Sequence, residues 1–185
     1  MSIVADTSAT VIPAGTWSID PSHSAVEFHI KHLGLATVKG RAPVVGGTIE
    51  GGETPAIQGT VGVSSITTFD ENRDGHLQSP EFFDVERYPE LSFESTGIET
   101  RGHDLVVEGK LTIKGVTKPV TLRGTFVGSG VDPWGSERIG IDLETTVDRT
   151  EWGLDWNAPL PGGGLLLPSD VKLTATFSAV KAGRV

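Results

Sequence analysis

Residues 104–126 read DLVVEGKLTIKGVTKPVTLRGTF, and they carry the clearest structural pattern in the chain. Apolar or small residues occupy every second position of 105–113, and they do so again in 120–126. A period of two is typical of a β-strand with one buried side and one side in solvent. Residues 114–117 separate the two runs, and Gly115 can take the positive φ that a tight hairpin turn needs. The stretch therefore predicts a β-hairpin with one apolar face.

The same alternation recurs along the chain and predicts about eight strands. The further runs lie at residues 25–32, 45–49, 60–64, 91–94, 139–147 and 171–178. Eight antiparallel strands with one apolar face form either a sandwich or a closed barrel. We favour the barrel, because closure removes exposed edges and the small inward residues Gly109, Gly124 and Ala175 leave interior space. In a sandwich, the same small residues would instead receive bulky side chains from the opposite sheet.

One helical insertion is predicted within this all-β pattern, at about residues 70–88. Asp70 can cap a short helix, and Ser79-Pro80 is a second start signal. The insertion could lie across an opening of the barrel, or it could plug one barrel end as part of the core. It carries a cluster of aromatic residues, namely Phe69, Phe82, Phe83 and Tyr88.

The length and the net charge of the chain limit the kinds of partner that it can bind. The chain has 185 residues, with 15 basic and 24 acidic side chains and a net charge of -9. This balance disfavours nucleic acid and anionic membranes as partners, because both repel an acidic chain at long range. We expect a flexible segment at 1–15, a single domain at 16–180 and a tail at 181–185. The first 15 residues lack a secretion-signal pattern, so we expect a cytoplasmic protein unless a leader has been removed.

No pattern of catalytic or metal-binding residues is found in the sequence. Cysteine is absent, which excludes thiolate nucleophiles and cysteine-ligated metals. His29 and His32 are three apart on a predicted strand, so they point to opposite faces and do not chelate one ion. Arg73 and Asp74 are expected to form a local ion pair. We therefore expect neither an enzyme nor a bound metal or cofactor.

An ordered set of motifs resembles the YceI-like family of lipocalin-like, polyisoprenoid-binding proteins. The motifs are Trp17-x-Ile19-Asp20-x-x-His23-Ser24-x-Val26-x-Phe28-x-Ile30-Lys31-His32-Leu33-Gly34, Arg73-Asp74-Gly75-His76-Leu77, Phe82-Phe83-Asp84, Tyr88-Pro89, Phe93-x-Ser95-Thr96, Gly109-x-Leu111-Thr112-Ile113-x-Gly115-Val116-Thr117-Lys118, and Arg149 followed by Trp152-Gly153. The resemblance runs from about Trp17 to Phe177. This chain departs from the family at Ala42, where relatives usually carry a bulkier aromatic residue.

The resemblance implies an extended eight-stranded antiparallel, lipocalin-like barrel that holds a polyisoprenoid, an isoprenoid quinone or a similar amphiphile in a long cavity. The residues expected to line the cavity are Val26, Phe28, Ile30, Phe69, Phe82, Phe83, Phe93, Val107, Leu111, Ile113, Leu122, Phe126, Ile141, Leu143, Trp152, Leu173 and Phe177. The residues expected to meet a polar lipid head are His32, Arg73, His76 and Arg149.

The leading function is thus a carrier or store for such a lipid, without stable membrane insertion. Two alternatives stay open at this point. One is an enzyme that acts on the lipid with the four polar residues, and the other is a filled barrel that serves as a stress-response or interaction module. Homodimer formation is also expected to be possible, because relatives are often dimeric and Val106 and Val127 break the polar outer face.

Overall fold

The computed structural model describes residues 11–183, and within them the chain forms ten β-strands and one α-helix. In chain order these are β1 (Gly15–Ile19), β2 (Ala25–His32), β3 (Ala36–Ala42), β4 (Val44–Gly51), β5 (Ala56–Gly62), α1 (Glu71–Gln78), β6 (Glu90–Arg101), β7 (Asp104–Ile113), β8 (Val116–Val131), β9 (Glu137–Asp148) and β10 (Asp170–Lys181).

All strand pairs are antiparallel, and the sheet closes on itself through β1 and β10. Around the barrel the order is β1-β4-β5-β6-β7-β8-β9-β10, and β2 and β3 continue beyond β10. A short 3-10 turn at Pro21–His23 separates β1 from β2, and Pro43 separates β3 from β4. The ten segments therefore fill eight barrel positions, two of which hold a broken strand. The predicted eight-stranded barrel is confirmed, although the sequence pattern missed β1 and β3.

The β7–β8 hairpin has the predicted tight turn. Ile113 pairs with Val116, which leaves a loop of two residues. Lys114 has a φ of 51° and Gly115 a φ of 76°. Positive φ at both central positions matches the right-handed twist of the flanking strands.

The two ends of the barrel differ in how they are filled. One end, called the closed end below, is packed by a cluster that includes Trp17, Ile49 and Leu105, all nearly inaccessible to solvent. The other end, called the helix end, is where β2, β7 and β9 finish and where α1 lies. Among residues 11–183, the interior cavity lies on the helix-end side of this close-packed cluster.

The N-terminal segment that we expected to be flexible is partly packed. Residues 1–10 of the expected segment 1–15 lie outside the described residues. Ile12 is fully buried in the closed end, and the Trp17 indole Nε1 donates to the Pro13 carbonyl at 2.9 Å. At the other terminus, β10 ends at Lys181, and residues 184–185 lie outside the described range.

Two of the three small inward residues do not leave the space that the pattern predicted. A Cβ at Gly109 would clash with the Phe93 ring, and one at Gly124 would clash with the Asp142 carbonyl. Both glycines thus allow close approach of a neighbouring group. Ala175 is the one of the three that faces open interior space.

An ion network holds the outside of the closed end. The Arg138 guanidinium donates to a carboxylate oxygen of Asp20 and to one of Asp132, both at 2.9 Å. Hydrogen bonds from Ser22, then from Arg138 and His23, hold the pKa of Asp20 well below its usual range. For Asp132 the bond from Arg138 is the main cause of a lowered pKa. The ionised carboxylates are therefore the forms that stabilise the fold.

We expect the protein to lose stability as the pH falls below about 4, where unfolded aspartates begin to bind protons. The stabilising contribution of Asp20 and Asp132 is present above the unfolded pKa and is lost as the pH falls through the lowered folded pKa. Arg138→Gln should flatten this acid decline, measured by urea unfolding at a series of pH values. Lys172→Gln, which removes an exposed pair to Glu144 at 3.4 Å, is the control and should leave the slope unchanged. Parallel curves for Arg138→Gln and the wild type would contradict the assignment.

Candidate functional site

A cavity of about 570 Å³ occupies the helix end of the barrel. This volume lies within the range that is usual for small-molecule sites. On β10 the lining positions run from Val171 to Phe177, which spans about 20 Å at 3.3 Å per residue. The walls are almost entirely apolar, so the site suits a long apolar group rather than a polar substrate.

Most of the apolar residues that we expected at the cavity wall lie there. They are Val26, Phe28, Ile30, Phe82, Phe83, Phe93, Leu111, Ile113, Leu122, Leu143, Trp152, Leu173 and Phe177. They come from distant parts of the chain, and those on strands meet because the alternation points each row inward. Phe82 and Phe83 lie in the turn after α1, and Trp152 lies in a 3-10 turn after β9.

Four expected lining residues lie elsewhere. Val107, Phe126 and Ile141 face inward, but they belong to the packed closed end and do not reach the cavity. Alternation reports the face of a strand and not the depth along the barrel, which explains these three misplacements. Phe69 is 92% exposed, because its backbone turns outward with a φ of 63° just before α1.

Other lining residues were missed by the sequence reasoning. Val38 and Ala42 lie on β3, a strand that was not predicted. Trp156, Leu166 and Leu167 lie in the connection between β9 and β10. The one usable signal in that connection was its apolar, proline- and glycine-rich composition, which is unusual for a surface loop.

Helix α1 is fixed to the barrel by a local hydrogen-bond network. The Asp74 carboxylate accepts from the Thr68 backbone N–H at 2.7 Å and from its hydroxyl at 2.6 Å. Arg73 donates through Nε to the Thr68 Oγ1 at 2.7 Å and through Nη2 to its carbonyl at 2.9 Å. Arg73 and Asp74 are thus joined through Thr68, and the direct ion pair that we expected is not formed. Asp70 caps the helix as predicted, whereas Ser79-Pro80 opens a turn and no second helix.

An aromatic cluster closes part of the mouth. The His76 ring lies edge-on to Phe82, with 4.9 Å between centroids, and edge-on to Trp156 at 4.6 Å. His76 Nε2 lies 2.5 Å from the Glu81 carboxylate. Because α1 has no buried residue and yet its inner side lines the cavity, the insertion covers an opening. Phe82, later in the insertion, is buried and packs in a core cluster with Leu111 and Trp152, so the insertion also fills part of the barrel interior.

Arg149 is the most deeply buried charged group at the cavity. Its Nε donates to the Pro168 carbonyl at 2.9 Å, and its Nη1 donates to the carbonyls of Leu154 at 2.5 Å and Trp156 at 2.9 Å. Within residues 11–183, no carboxylate oxygen lies within 4 Å of it, and Nη2 has no hydrogen-bond partner. Burial lowers the pKa of the guanidinium. Arg149 therefore fastens the β9–β10 connection and leaves one donor group unused.

The four polar residues expected at a lipid head all line the cavity: His32, Arg73, His76 and Arg149. Three of them already hold protein partners, and His32 lies at the end of β2. His29, on the opposite face of that strand, does not line the cavity. Among residues 11–183, no group of three or more His, Cys, Asp or Glu side chains could hold a metal ion. No helix in that range is long and apolar enough to cross a membrane.

The model of the YceI-like domain family matches residues 17–179 of this chain. The chain belongs to the YceI-like family. Protein YceI of Escherichia coli is 36% identical over 147 residues, which cover 76% of this chain and 77% of that protein. Protein YceI of Salmonella arizonae is 35% identical over the same shares of the two chains.

Solved structures of distant relatives share the YceI-like fold. A polyisoprenoid binding domain from Saccharophagus degradans superposes with a TM-score of 0.67 at 15% identity, covering 90% of this chain and 98% of that one. Burkholderia cenocepacia BcnA superposes with a TM-score of 0.66 at 20% identity, covering 86% and 98%. At these identities the likeness concerns the fold alone.

Proposed function

We propose that the protein binds one long apolar lipid inside the barrel and acts as its carrier or store. The lipid class that fits is a polyisoprenoid, an isoprenoid quinone or a similar amphiphile. The apolar cavity at the helix end is the observation that carries the proposal. Two further facts support it, namely membership of the YceI-like family and the shared fold of a polyisoprenoid binding domain.

The difference between the two barrel ends determines the orientation of the bound lipid. The closed end is packed and offers no exit, so the tail points toward it from the mouth. The polar head then lies near Arg149 and His76, where the unused Nη2 donor of Arg149 meets an oxygen of the head. A carbonyl, hydroxyl or carboxylate oxygen would serve as the acceptor.

We propose binding and not catalysis as the activity. Arg73 is held by Thr68, His76 faces Glu81, and Arg149 is held by three carbonyls. A general acid or base needs a hydrogen-bond path to the reacting group, and these contacts commit part of each of the three side chains to holding the structure. The cavity itself disfavours the alternative of a barrel filled by its own side chains.

Organic extraction of the purified protein, followed by mass spectrometry, tests the proposal directly. We expect a long-chain lipid in stoichiometric amount, or uptake of one by lipid-free protein. A preparation that holds no lipid and takes up neither a polyprenol nor a long-chain fatty acid would overturn the proposal.

The dependence of affinity on the length of the lipid tail is a sharper test of binding in this cavity. Farnesol, geranylgeraniol and a longer polyprenol can be compared by displacement of a fluorescent fatty acid. Each buried CH₂ contributes about 0.8 kcal/mol, so each isoprene unit that fits should strengthen binding by at least about tenfold. The gain should stop once the tail fills the roughly 20 Å cavity. Affinity that does not depend on chain length would show that the tail lies outside the barrel.

A further inference from the structure

The turn between β2 and β3 exposes two leucines. Leu33 is 44% exposed and Leu35 is 84% exposed. Leu33 has a φ of 57° and Gly34 a φ of 68°. His32 pairs with Ala36, so the turn has three residues, and the positive φ at Leu33 favours Asn or Gly and strains a leucine. The fold alone gives no reason for leucine at these positions.

This turn lies beside the mouth of the cavity. The Leu33 backbone N–H donates to the Leu166 carbonyl at 3.1 Å, and Leu166 lines the cavity. Leu165, the residue before it, is 60% exposed. Leu33, Leu35 and Leu165 together form what we call the leucine rim. It gives one side of the mouth an apolar edge.

The strands behind the rim are locally basic. Between Phe28 and Ala42 the chain carries Lys31, Lys39 and Arg41 and no acidic residue. All three side chains are exposed, and none lies within 4 Å of a carboxylate oxygen in the described part of the chain. Screening limits the reach of exposed charges to about 8 Å at physiological ionic strength. Lys31 and Lys39 are the cations nearest the rim, whereas Arg41 lies opposite Glu27 and about 20 Å along β3 from Leu35. A surface in contact with the rim therefore meets Lys31 and Lys39 more strongly than the distant charges that make up the net charge of -9.

Two exposed aromatic residues, Trp134 and Phe69, lack this combination. Trp134 projects from the β8–β9 turn at the closed end, and acidic Asp132 and Glu137 flank it. Phe69 lies on the helix side, next to Asp70 and Glu71. Unlike these two residues, the leucine rim combines an exposed apolar surface at the cavity mouth with nearby positive charge.

We propose that the leucine rim and the neighbouring Lys31 and Lys39 dock the cavity mouth reversibly on an anionic lipid bilayer, so that a lipid passes between bilayer and barrel. The inference rests on the proposed function for the nature of the cargo. Apolar side chains that enter the headgroup region, together with basic residues that meet anionic lipids, are the two ingredients of peripheral membrane binding. Direct contact also spares the lipid tail from crossing water.

Co-sedimentation of lipid-free protein with vesicles tests the docking. We expect the wild type to bind vesicles of phosphatidylglycerol and phosphatidylcholine in equal parts more tightly than pure phosphatidylcholine. The double variant Leu33→Asn/Leu35→Asn should lose about tenfold in vesicle affinity, since it removes the apolar contact, and Asn tolerates the positive φ at position 33. Lys31→Gln/Lys39→Gln should lose the preference for the anionic vesicles. The matched control Val131→Ser/Trp134→Ser, at the closed end, should bind like the wild type.

The vesicle and uptake measurements separate failure of the docking proposal from failure of the proposed function. Equal binding to both vesicle types by the wild type, or unchanged binding by the Asn double variant, would overturn the docking proposal. An oligomer that dissociates in the Asn double variant, seen by analytical ultracentrifugation, would also overturn it, because the rim would then be an interface between copies. Polyprenol uptake from detergent solution is measured in parallel and should be unchanged in both double variants. Wild-type protein that takes up polyprenol but does not bind the vesicles would overturn only the docking proposal, whereas wild-type protein that binds the vesicles but takes up no polyprenol would overturn the proposed function.

Discussion

Leu111→Arg is expected to abolish lipid uptake and to lower the free energy of unfolding by at least about 3 kcal/mol. Leu111 is nearly buried and lines the cavity on β7. Its carbonyl accepts the indole N–H of the buried Trp152 at 3.0 Å, so this part of the wall is rigidly held. A guanidinium at this position either stays buried without a partner or occupies the space of the lipid tail. Both results remove binding.

Glu108→Arg is the matched control for this prediction. Glu108 lies on the same strand with its side chain exposed on the outer face, so the same residue is introduced without entering the cavity. Urea unfolding and polyprenol uptake should both stay near wild-type values. If Leu111→Arg does not fold, Ala175→Phe tests the wall without a charge, because Ala175 faces the open cavity. Undiminished uptake by folded Leu111→Arg or by Ala175→Phe would show that the lipid does not use this cavity.

The barrel could be predicted because its signals are local. Alternation over 105–113 depends only on which residues neighbour each other, and the Lys114-Gly115 turn depends on backbone sterics. Strands β1 and β3 lack that signal. β1 is five residues long and β3 carries Gly40, against which the Phe28 ring packs closely. Short strands and glycine positions show little alternation, so the two broken barrel positions were not recognised.

The cavity could be predicted only in part, because its extent depends on packing between distant segments. Val107 and Leu111 lie on the same face of β7, yet one is packed in the closed end and the other faces the cavity. The difference comes from Ile12 and Trp17, which are far away in sequence and fill the closed end. Nothing in the pattern of β7 itself carries that information.

The contacts of the polar residues at the cavity could also be predicted only in part from the sequence. The sequence motif placed Arg149 at a lipid head, and the structure places it at the cavity. Its main contacts, however, are backbone carbonyls of the β9–β10 connection. Backbone carbonyls are present at every residue, so no sequence pattern marks the ones that an arginine will reach.

Arg149→Met is expected to be among the most destabilising single substitutions, at about 3 to 5 kcal/mol. It leaves the carbonyls of Leu154, Trp156 and Pro168 without their donor in a buried site. Unpaired buried acceptors cost more than the average hydrogen bond contributes, and charged donors make the stronger bonds. Since Trp156 and the following leucines line the cavity, lipid uptake should fall together with stability. Urea unfolding and polyprenol uptake measure the two effects.

Arg123→Met is the control, because Arg123 is exposed on β8 and its replacement should change stability by less than about 0.5 kcal/mol. Arg149→Lys should lie between the two Met variants. A single ammonium keeps the charge, but it lacks the planar fork that reaches three carbonyls from two nitrogens. Equal unfolding midpoints for Arg149→Met and Arg123→Met would contradict the assignment, because the β9–β10 connection would then keep its carbonyls satisfied without the guanidinium.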